Sequence, residues 1–396
     1  MALRYAIASG NWNTPGIWDS GTVPVASDDV RANGFTVTID VDINVLQIST
    51  VALAPAVAGG TFSVGTNRNI TANINAGSTA CLTSGSGITV TVIGNINGGF
   101  ANGSHGINFT NIGSILNVTG NVTAGSTTSG VQNGINSSGT VNFIGNATGS
   151  AVGFGSAAIN IGTGGVLNLT GIVTGGSAAT TSYGVLTSGN GTYNGTITGG
   201  SAGSSAGVRI TAGVHTVNSN VTGGTSNGSH GLVLLNTTAT FNGNISAGGV
   251  ANSQAVVIST STATFNGSIT GSATSSGALA VSVTDAASNV VISQMTFGTL
   301  GTVPVNGFVK FKNTGPTITV LKANNTTQQL VDPVTTDIPI TSDVRDGIVY
   351  ASGLLTGTLK VPPPTAVSVG VPTDNTIGTA IITFTDMGTL LASFNV

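Results

Sequence analysis

The sequence predicts an all-β protein whose central part is a single-stranded parallel β-helix with about 24 residues per coil. Three observations lead to this prediction. Ten-residue stretches recur at a nearly constant interval, apolar and polar residues alternate within each stretch, and only 5% of the 396 residues are charged. A period of this length is the signature of a solenoid, in which each coil packs only against its neighbours. We expect right-handed coils, the usual hand of parallel crossovers.

The repeat is clearest where ATFNGNISAG at 239–248 returns as ATFNGSITGS at 263–272. Its central residue, which we call the anchor, recurs every 24 to 26 residues. The anchors are Gly94, Gly120, Gly145, Gly171, Gly195, Ser219, Gly243 and Gly267, with a fainter copy at Ala72.

Apolar residues recur at fixed offsets from the anchors and predict two inward-facing strands per coil. Two residues before the anchors stand Val92, Val118, Phe143, Leu169, Tyr193, Val217, Phe241 and Phe265. Two residues after them stand Ile96, Val122, Ala147, Val173, Ile197, Val221, Ile245 and Ile269. The second strand is predicted by the column Ile107, Ile135, Ile159, Val185, Val208, Leu232, Val256 and Ala280.

Polar residues also form columns, which we expect to hydrogen-bond along the stack. One residue after the anchors, asparagine recurs at Asn95, Asn121, Asn146, Asn220 and Asn244. Three residues after them stand Asn97, Thr123, Thr148, Thr174, Thr198, Thr222, Ser246 and Thr270. A flat array of hydroxyl groups suggests ice binding, but this array is only one residue wide in the sequence, so ice binding is not favoured.

The two ends differ from the body, and three segments are predicted. Residues 1–58 form an N-terminal cap or attachment segment, 59–300 a β-helix of about nine coils, and 301–396 a C-terminal β-rich module. A short internal duplication lies at 341–380. In the first segment FTVTIDVDINV alternates cleanly, which predicts one strand with alternate residues from Phe35 to Val45 on one face.

Both ends resemble known virion proteins. The run GNW, W, P, DDV and TVTID near the start resembles the beginning of many phage and bacterial surface proteins that continue as β-helices. Residues 341–380 are similar to a C-terminal module of tail-fibre-like and other virion proteins of tailed phages. The resemblance implies a β-helical component of a phage particle, without saying which component.

Catalysis is not predicted, because the body lacks the groups that it needs. The chain has no Glu, and no Asp lies between Asp42 and Asp285, so the repeat body has no general acid or base of the carboxylate kind. Asp40 and Asp42 are predicted on one face of a capping strand, where outer-edge charge is the ordinary role. His105 and His230 fall five coils apart and cannot share a metal. No catalytic, metal or cofactor site is therefore predicted.

Composition excludes several partners. The net charge is −3 without a basic run, which gives no basis for binding nucleic acid or an anionic membrane. The start lacks a charged segment followed by a long apolar core, so no secretory signal peptide is predicted. Cys81, the single cysteine, is predicted to be a small buried residue.

These observations favour a non-enzymatic structural protein of a phage virion, either a rigid fibre or a surface decoration protein. Its expected partners are other capsid or tail proteins and further copies of itself, with a homotrimer as one arrangement. Trp12, Trp18 and Arg31 are candidates for the N-terminal cap or attachment, and Arg345 and Tyr350 for the C-terminal module. The alternatives are a tail protein that binds a host glycan and a bacterial cell-surface adhesin. Tyr193, predicted to face inward, weakens the glycan alternative, which needs exposed aromatic rings.

Overall fold

The computed structural model describes residues 2–292, except 127–129, 153–154, 178–180, 251–252, 271–280 and 285–287, and six short strands beyond them. The described residues form an all-β solenoid of parallel strands with about eleven turns and about 24 residues per turn. The predicted fold class is thereby confirmed. Within the described part of the chain, the one helical element is a 3-10 turn at Pro15–Ile17.

Sheet 1 contains the strand that carries the anchor in each coil. In several coils this strand is interrupted at the anchor, so that one coil contributes two pieces. The strands of sheet 1 are Leu3–Tyr5, Asp29–Arg31, Ile43–Ser49, Arg68–Asn75, Thr89–Ile93, Ile96–Asn97, Ile115–Thr119, Val122–Thr123, Thr140–Thr148, Val166–Thr174, Asn190–Thr198, Val214–Val217, Asn220–Thr222, Thr238–Phe241, Ile245–Ser246, Thr262–Phe265, Ile269–Thr270, Asn289–Ile292, Ile318–Leu321 and Thr327–Leu330.

Sheet 2 contains the second strand of each coil, and its strands follow one another in chain order. All of its pairings are parallel, as stacking of successive coils requires. The strands of sheet 2 are Gly10–Asn11, Thr36–Thr38, Thr61–Val64, Leu82–Ser84, Ile107–Phe109, Ile135–Ser137, Ser156–Ile161, Ser182–Thr187, Ala206–Ile210, His230–Leu235, Val256–Ser259 and Val281–Val283.

The core lies between the two sheets and is built from the predicted inward columns. Val92, Leu169 and Phe265 are buried members of the first column, and each pairs with the same position of the next coil where that coil follows. The column of sheet 2 runs as predicted from Ile107 to Val256.

The last position of that column was predicted wrongly. Val256 pairs with Val281, not with Ala280, because this coil is one residue longer than the two that precede it. Ala280 itself lies outside the described residues. A one-residue change of spacing moves a strand's side chains to the other face, so the column shifts with it.

The anchors stack directly on one another, which explains why they are mostly glycine. Gly145, Gly171 and Gly195 are paired in register at φ values of 147°, 144° and 131°, which side chains rarely adopt. A Cβ atom on Gly171 would overlap the carbonyl oxygen of Gly145 in the coil beneath. Close backbone contact between coils therefore favours glycine at the anchor positions and so produces the repeat.

The N-terminal segment enters the same two sheets. Leu3–Tyr5 pairs in parallel with Asp29–Arg31, and Thr36–Thr38 pairs in parallel with Thr61–Val64. The single strand predicted over FTVTIDVDINV is wrong, since Thr36–Thr38 belongs to sheet 2 and Ile43–Ser49 to sheet 1. Residues 39–42 turn the corner between them.

A second compact unit comprises residues 335–396. Its described strands form two short antiparallel hairpins, Val349–Tyr350 with Leu355–Thr356 and Pro372–Thr373 with Thr376–Ile377. Each hairpin starts five residues after one of the two valines matched in the predicted duplication, Val344 and Val367.

Candidate functional site

The outer face of sheet 2 carries one straight row of outward-facing side chains, one from each coil. Paired strands place them in register, about 4.8 Å apart along the stack. We call these residues the outer row, and they are Asn11, Thr38, Ser63, Thr83, Asn108, Asn136, Asn160, Leu186, Arg209, Val233 and Val257, followed in register by the buried Ser282.

The middle of the outer row is a ladder of amides. Asn136 donates from Nδ2 to Oδ1 of Asn108 at 2.8 Å, and Asn160 donates to Oδ1 of Asn136 at 2.7 Å. Each amide nitrogen carries a second N–H that this ladder does not use. The ladder fixes the amide orientation and leaves a line of donors on the surface.

Next to the ladder, the row changes from amides to a cation between aliphatic side chains. Leu186, Arg209 and Val233 are consecutive members, and all three are half-buried. The Arg209 guanidinium lies over the Tyr183 ring, with Cζ 5.6 Å from the ring centroid, and Nη1 donates to the Tyr183 Oη at 2.7 Å. These two contacts hold the guanidinium in one place.

Tyr183 is itself held by a small apolar cluster outside the main core. Its ring packs with Ala157 and Ala206, which lie directly below and above it in the adjacent coils. Leu186 and Val233 pack against the same cluster. Tyr183 is therefore only 6% exposed, so it supports Arg209 rather than offering a free ring face to a ligand.

The electrostatics around Arg209 are those of a cation without a counter-ion. The coils above and below contain no acidic residue, and the two ion pairs of the described residues are Arg4–Asp28 and Arg31–Asp29. Among the described residues, the guanidinium has no hydrogen-bond partner besides Tyr183.

Two further polar atoms beside the row lack partners. His230 and Gln254 stand three residues before Val233 and Val257, in the same relation as Tyr183 to Leu186. The buried Nδ1 of His230 and Oε1 of Gln254 have no hydrogen-bond partner within the described part of the chain. Burial lowers the pKa of His230 to about 4, so its ring is neutral at pH 7.

The three N-terminal candidates are inside the first coils. Trp12 and Trp18 are 2% and 1% exposed and make an edge-to-face contact with ring centroids 5.0 Å apart. The Trp18 Nε1 donates to the Trp12 carbonyl at 2.9 Å. Arg31 is buried, bonded to Asp29 and, at 3.1 Å, to Ser49. Because these side chains are enclosed, they can stabilise the first coils but cannot contact an attachment partner.

The C-terminal candidates cannot be placed in a site. Arg345 lies outside the described residues. Tyr350 belongs to the strand Val349–Tyr350, whose backbone alone is described.

The predicted acidic pair has a structural role at the corner before Ile43. Asp40 accepts a hydrogen bond from the Asn13 backbone N–H at 3.1 Å. Asp42 accepts from the backbone and side-chain nitrogens of Asn69, and these bonds hold the pKa of Asp42 below its usual value. Both carboxylates therefore join one coil to the next, although they do not stand on one strand as predicted.

The remaining reactive side chains are buried in the core or beside it. Cys81 is fully buried, and burial raises the pKa of its thiol to about 12. Tyr193 faces inward as predicted and contacts the Nδ1 of His215 at 3.4 Å. His105 accepts at Nδ1 from the Asn133 backbone N–H, and burial lowers the pKa of His105 to about 4.

In the described part of the structure, no three or more His, Cys, Asp or Glu side chains converge as metal ligands. Across the same residues, no helix is long and apolar enough to cross a membrane. A shallow polar depression on the ridge between the sheets is lined by Gly213, Asn236, Thr237, Thr238, Thr260, Ser261 and Thr262, without any charged side chain.

Comparison with protein-family models, with curated proteins and with solved structures gives no match. The fold alone defines the class of protein, which is the parallel β-solenoid.

Sequence reasoning missed the contact between Tyr183 and Arg209. The residues stand 26 positions apart, and only the register of the second strand shows that they meet. One signal was present in the sequence: Arg209 is one of two charged residues between Asp42 and Asp285, and Tyr183 is one of two tyrosines there.

Proposed function

We propose that this chain is a non-enzymatic structural protein of a phage particle, a rigid β-helical fibre or surface decoration protein docked through a terminal module. The observation that carries the proposal is the ladder of parallel pairing, which continues from Leu3–Tyr5 to Asn289–Ile292. About eleven turns at about 4.8 Å give a stack about 50 Å long. A stack of this kind suits a mechanical role.

The chemistry of the body supports the same role. The described body has amide ladders, hydroxyls and buried aliphatic columns, and its sequence from 43 to 284 contains no carboxylate side chain. General acid–base chemistry on this surface would need another source for its acid or base. The placement on a phage particle is supported by the sequence resemblance of the two ends.

Self-association is part of the proposal, because the outer face of sheet 1 is uncharged and partly apolar over residues 89–198. Ile93, Ile144 and Ile172 are 53%, 58% and 49% exposed on this face, close to the anchors. Small Thr and Asn side chains surround them and permit close approach of another copy. Sedimentation analysis of the purified chain measures its oligomeric state, and a monomer at all concentrations would contradict this part of the proposal.

The proposed location is tested by mass spectrometry of gradient-banded phage particles from the host that carries this gene. The host membrane fraction serves as the control. Hundreds of copies per particle would support capsid decoration, and a few to a few dozen copies would support a tail or vertex fibre. Absence from particles together with enrichment in the host envelope would overturn the virion proposal and favour the bacterial adhesin.

A further inference from the structure

We propose that the outer row is a binding site for an acidic polysaccharide, with Arg209 as the residue that binds a carboxylate of the sugar chain. This inference goes beyond the structural role and does not depend on it. It rests on the geometry of Arg209, on the donors beside it and on the absence of an acid nearby.

The first step is the state of the Arg209 guanidinium. One of its five N–H groups donates to Tyr183, and the others have no partner among the described residues. A guanidinium presents its donors in a planar fork that matches the two oxygens of a carboxylate. Because Tyr183 holds Arg209 from below, less side-chain entropy is lost when a ligand binds.

The second step is the positive charge of the site. Residues 43–284 contain two arginines and no acidic side chain, so no residue of the coils near Arg209 can neutralise it or repel an anion there. The other arginine, Arg68, donates to the carbonyl oxygens of Asn67 and Asp40 and is occupied by the fold. Arg209 is thus the cation of the described body that the fold leaves available.

The third step is the shape of the row, which favours a polymer. Asn108, Asn136 and Asn160 lead along the stack to Arg209, and each amide keeps a second N–H for an acceptor. Leu186 and Val233 flank Arg209 and offer apolar surface to the C–H face of a sugar ring. An extended chain with many acceptor oxygens and a repeated carboxylate fits this line of donors.

The column of residues beside the outer row contains polar atoms that make no hydrogen bond in the described part of the structure. His230 and Gln254 each have a buried polar atom without a partner in the described part of the structure. Such atoms carry a desolvation cost unless a ligand or water bonds them. Both atoms are enclosed, so a sugar hydroxyl, which both donates and accepts, would bond them after a rotamer change that brings them to the surface.

The test is isothermal titration of the purified full-length chain with a polygalacturonate oligosaccharide and with a neutral dextran oligosaccharide of similar length. We expect binding of the acidic oligosaccharide alone, weakened by added salt because the contact is ionic. Binding of neither ligand, or equal binding of both, would overturn the inference. Stronger binding of dextran sulfate than of polygalacturonate would overturn the assignment to a carboxylate.

The variants assign the site to Arg209. Arg209→Gln should raise the Kd at least tenfold, and Arg209→Lys should restore part of the affinity because it keeps the charge but loses the fork. Arg68→Gln is the matched control, with the same charge change outside the row, and should leave the Kd unchanged. If Arg209→Gln binds like the wild type, Arg209 is not the ligand-binding residue.

A second variant keeps the test independent of any packing defect at Arg209. Asn160→Leu is a control that removes the amide donor to Asn136 without adding charge. Asn160→Asp removes the same donor and adds a negative charge two coils from Arg209. It should weaken binding of the polyanion several-fold, while unchanged binding would contradict the placement along the row. Thermal unfolding of each variant confirms that the compared proteins are folded.

Discussion

Substitution of an anchor glycine tests the central claim that direct backbone contact between coils determines the repeat. In Gly171→Ala, the new Cβ would overlap the Gly145 carbonyl oxygen and lie 2.8 Å from its carbonyl carbon. The residue would also have to keep a φ of 144°, which costs alanine about 1–3 kcal/mol. The coils must separate locally, and each ladder hydrogen bond weakened adds about 0.5–1.5 kcal/mol.

Together these terms predict a loss of about 3–5 kcal/mol. At about 2 °C per kcal/mol for a large domain, the Tm should fall by about 6–10 °C. The matched control is Gly65→Ala, whose new Cβ meets no heavy atom within 4 Å and should change stability by less than about 0.5 kcal/mol.

Calorimetry of the two variants measures the difference. Because a solenoid can unfold in parts, hydrogen exchange of Val166–Thr174 is the second readout, and its amides should lose protection in Gly171→Ala. Equal Tm values and equal exchange for both variants would refute the claim that the anchors need glycine.

Three further predictions follow from described contacts. Within the described part of the chain, Asn142 bonds the amides of both adjacent coils, whereas Asn168 bonds the amide of one coil, that of Asn142. Asn142→Ala should therefore cost about 1 kcal/mol in urea unfolding and Asn168→Ala about half as much, and equal costs would contradict this. Burial lowers the pKa of His105 to about 4, below its unfolded value near 6.5, so the unfolded chain takes up the proton first and stability falls as the pH drops from about 6.5 to 4. Burial lowers the pKa of His230 and His215 as well, so His105→Gln should remove only part of the fall in Tm over that range, and an unchanged pH profile would contradict the assignment. Trp12 and Trp18 should give blue-shifted, poorly quenched fluorescence that is lost when the first coils unfold, and red-shifted emission from the native chain would show that they are exposed.

The period and the inward columns were predictable because stacking imposes them at every coil. Each coil must present apolar side chains at the same positions, so the constraint repeats about eleven times in one sequence. Corners carry no such signal. Alternation of period 2 continues through residues 35–45, and nothing in it shows that the chain passes from sheet 2 to sheet 1 at residues 39–42.

The candidate site was harder to predict because it depends on register between coils of unequal length. Tyr183 and Ala206 pair at a spacing of 23 residues, whereas the anchors Gly171 and Gly195 of the same two coils are 24 apart. The anchor spacing therefore does not show that Arg209 lies over Tyr183.

The neighbours of Tyr193 show how the core accepts a large or polar side chain. Gly191 lies two residues before Tyr193 and pairs with His215 of the next coil, so its missing side chain leaves room for both rings. The Tyr193 and His215 rings stack with centroids 6.0 Å apart. Counting columns from the anchors places His215 inward, although no partner for it is visible in the sequence.

Stacking explains most outward positions as well. In sheet 1, Asn218 and Asn242 belong to an amide ladder in which each side chain bonds its neighbour, and such a column stabilises the coils without any ligand. Leu186, Arg209 and Val233 depart from that chemistry, since a cation between two aliphatic side chains forms no ladder along the row. Solenoid stability does not require this departure, and Arg209 is one of only two charged residues between Asp42 and Asp285. The proposed ligand, which carries a carboxylate and needs a cationic partner, would supply the physical reason for it.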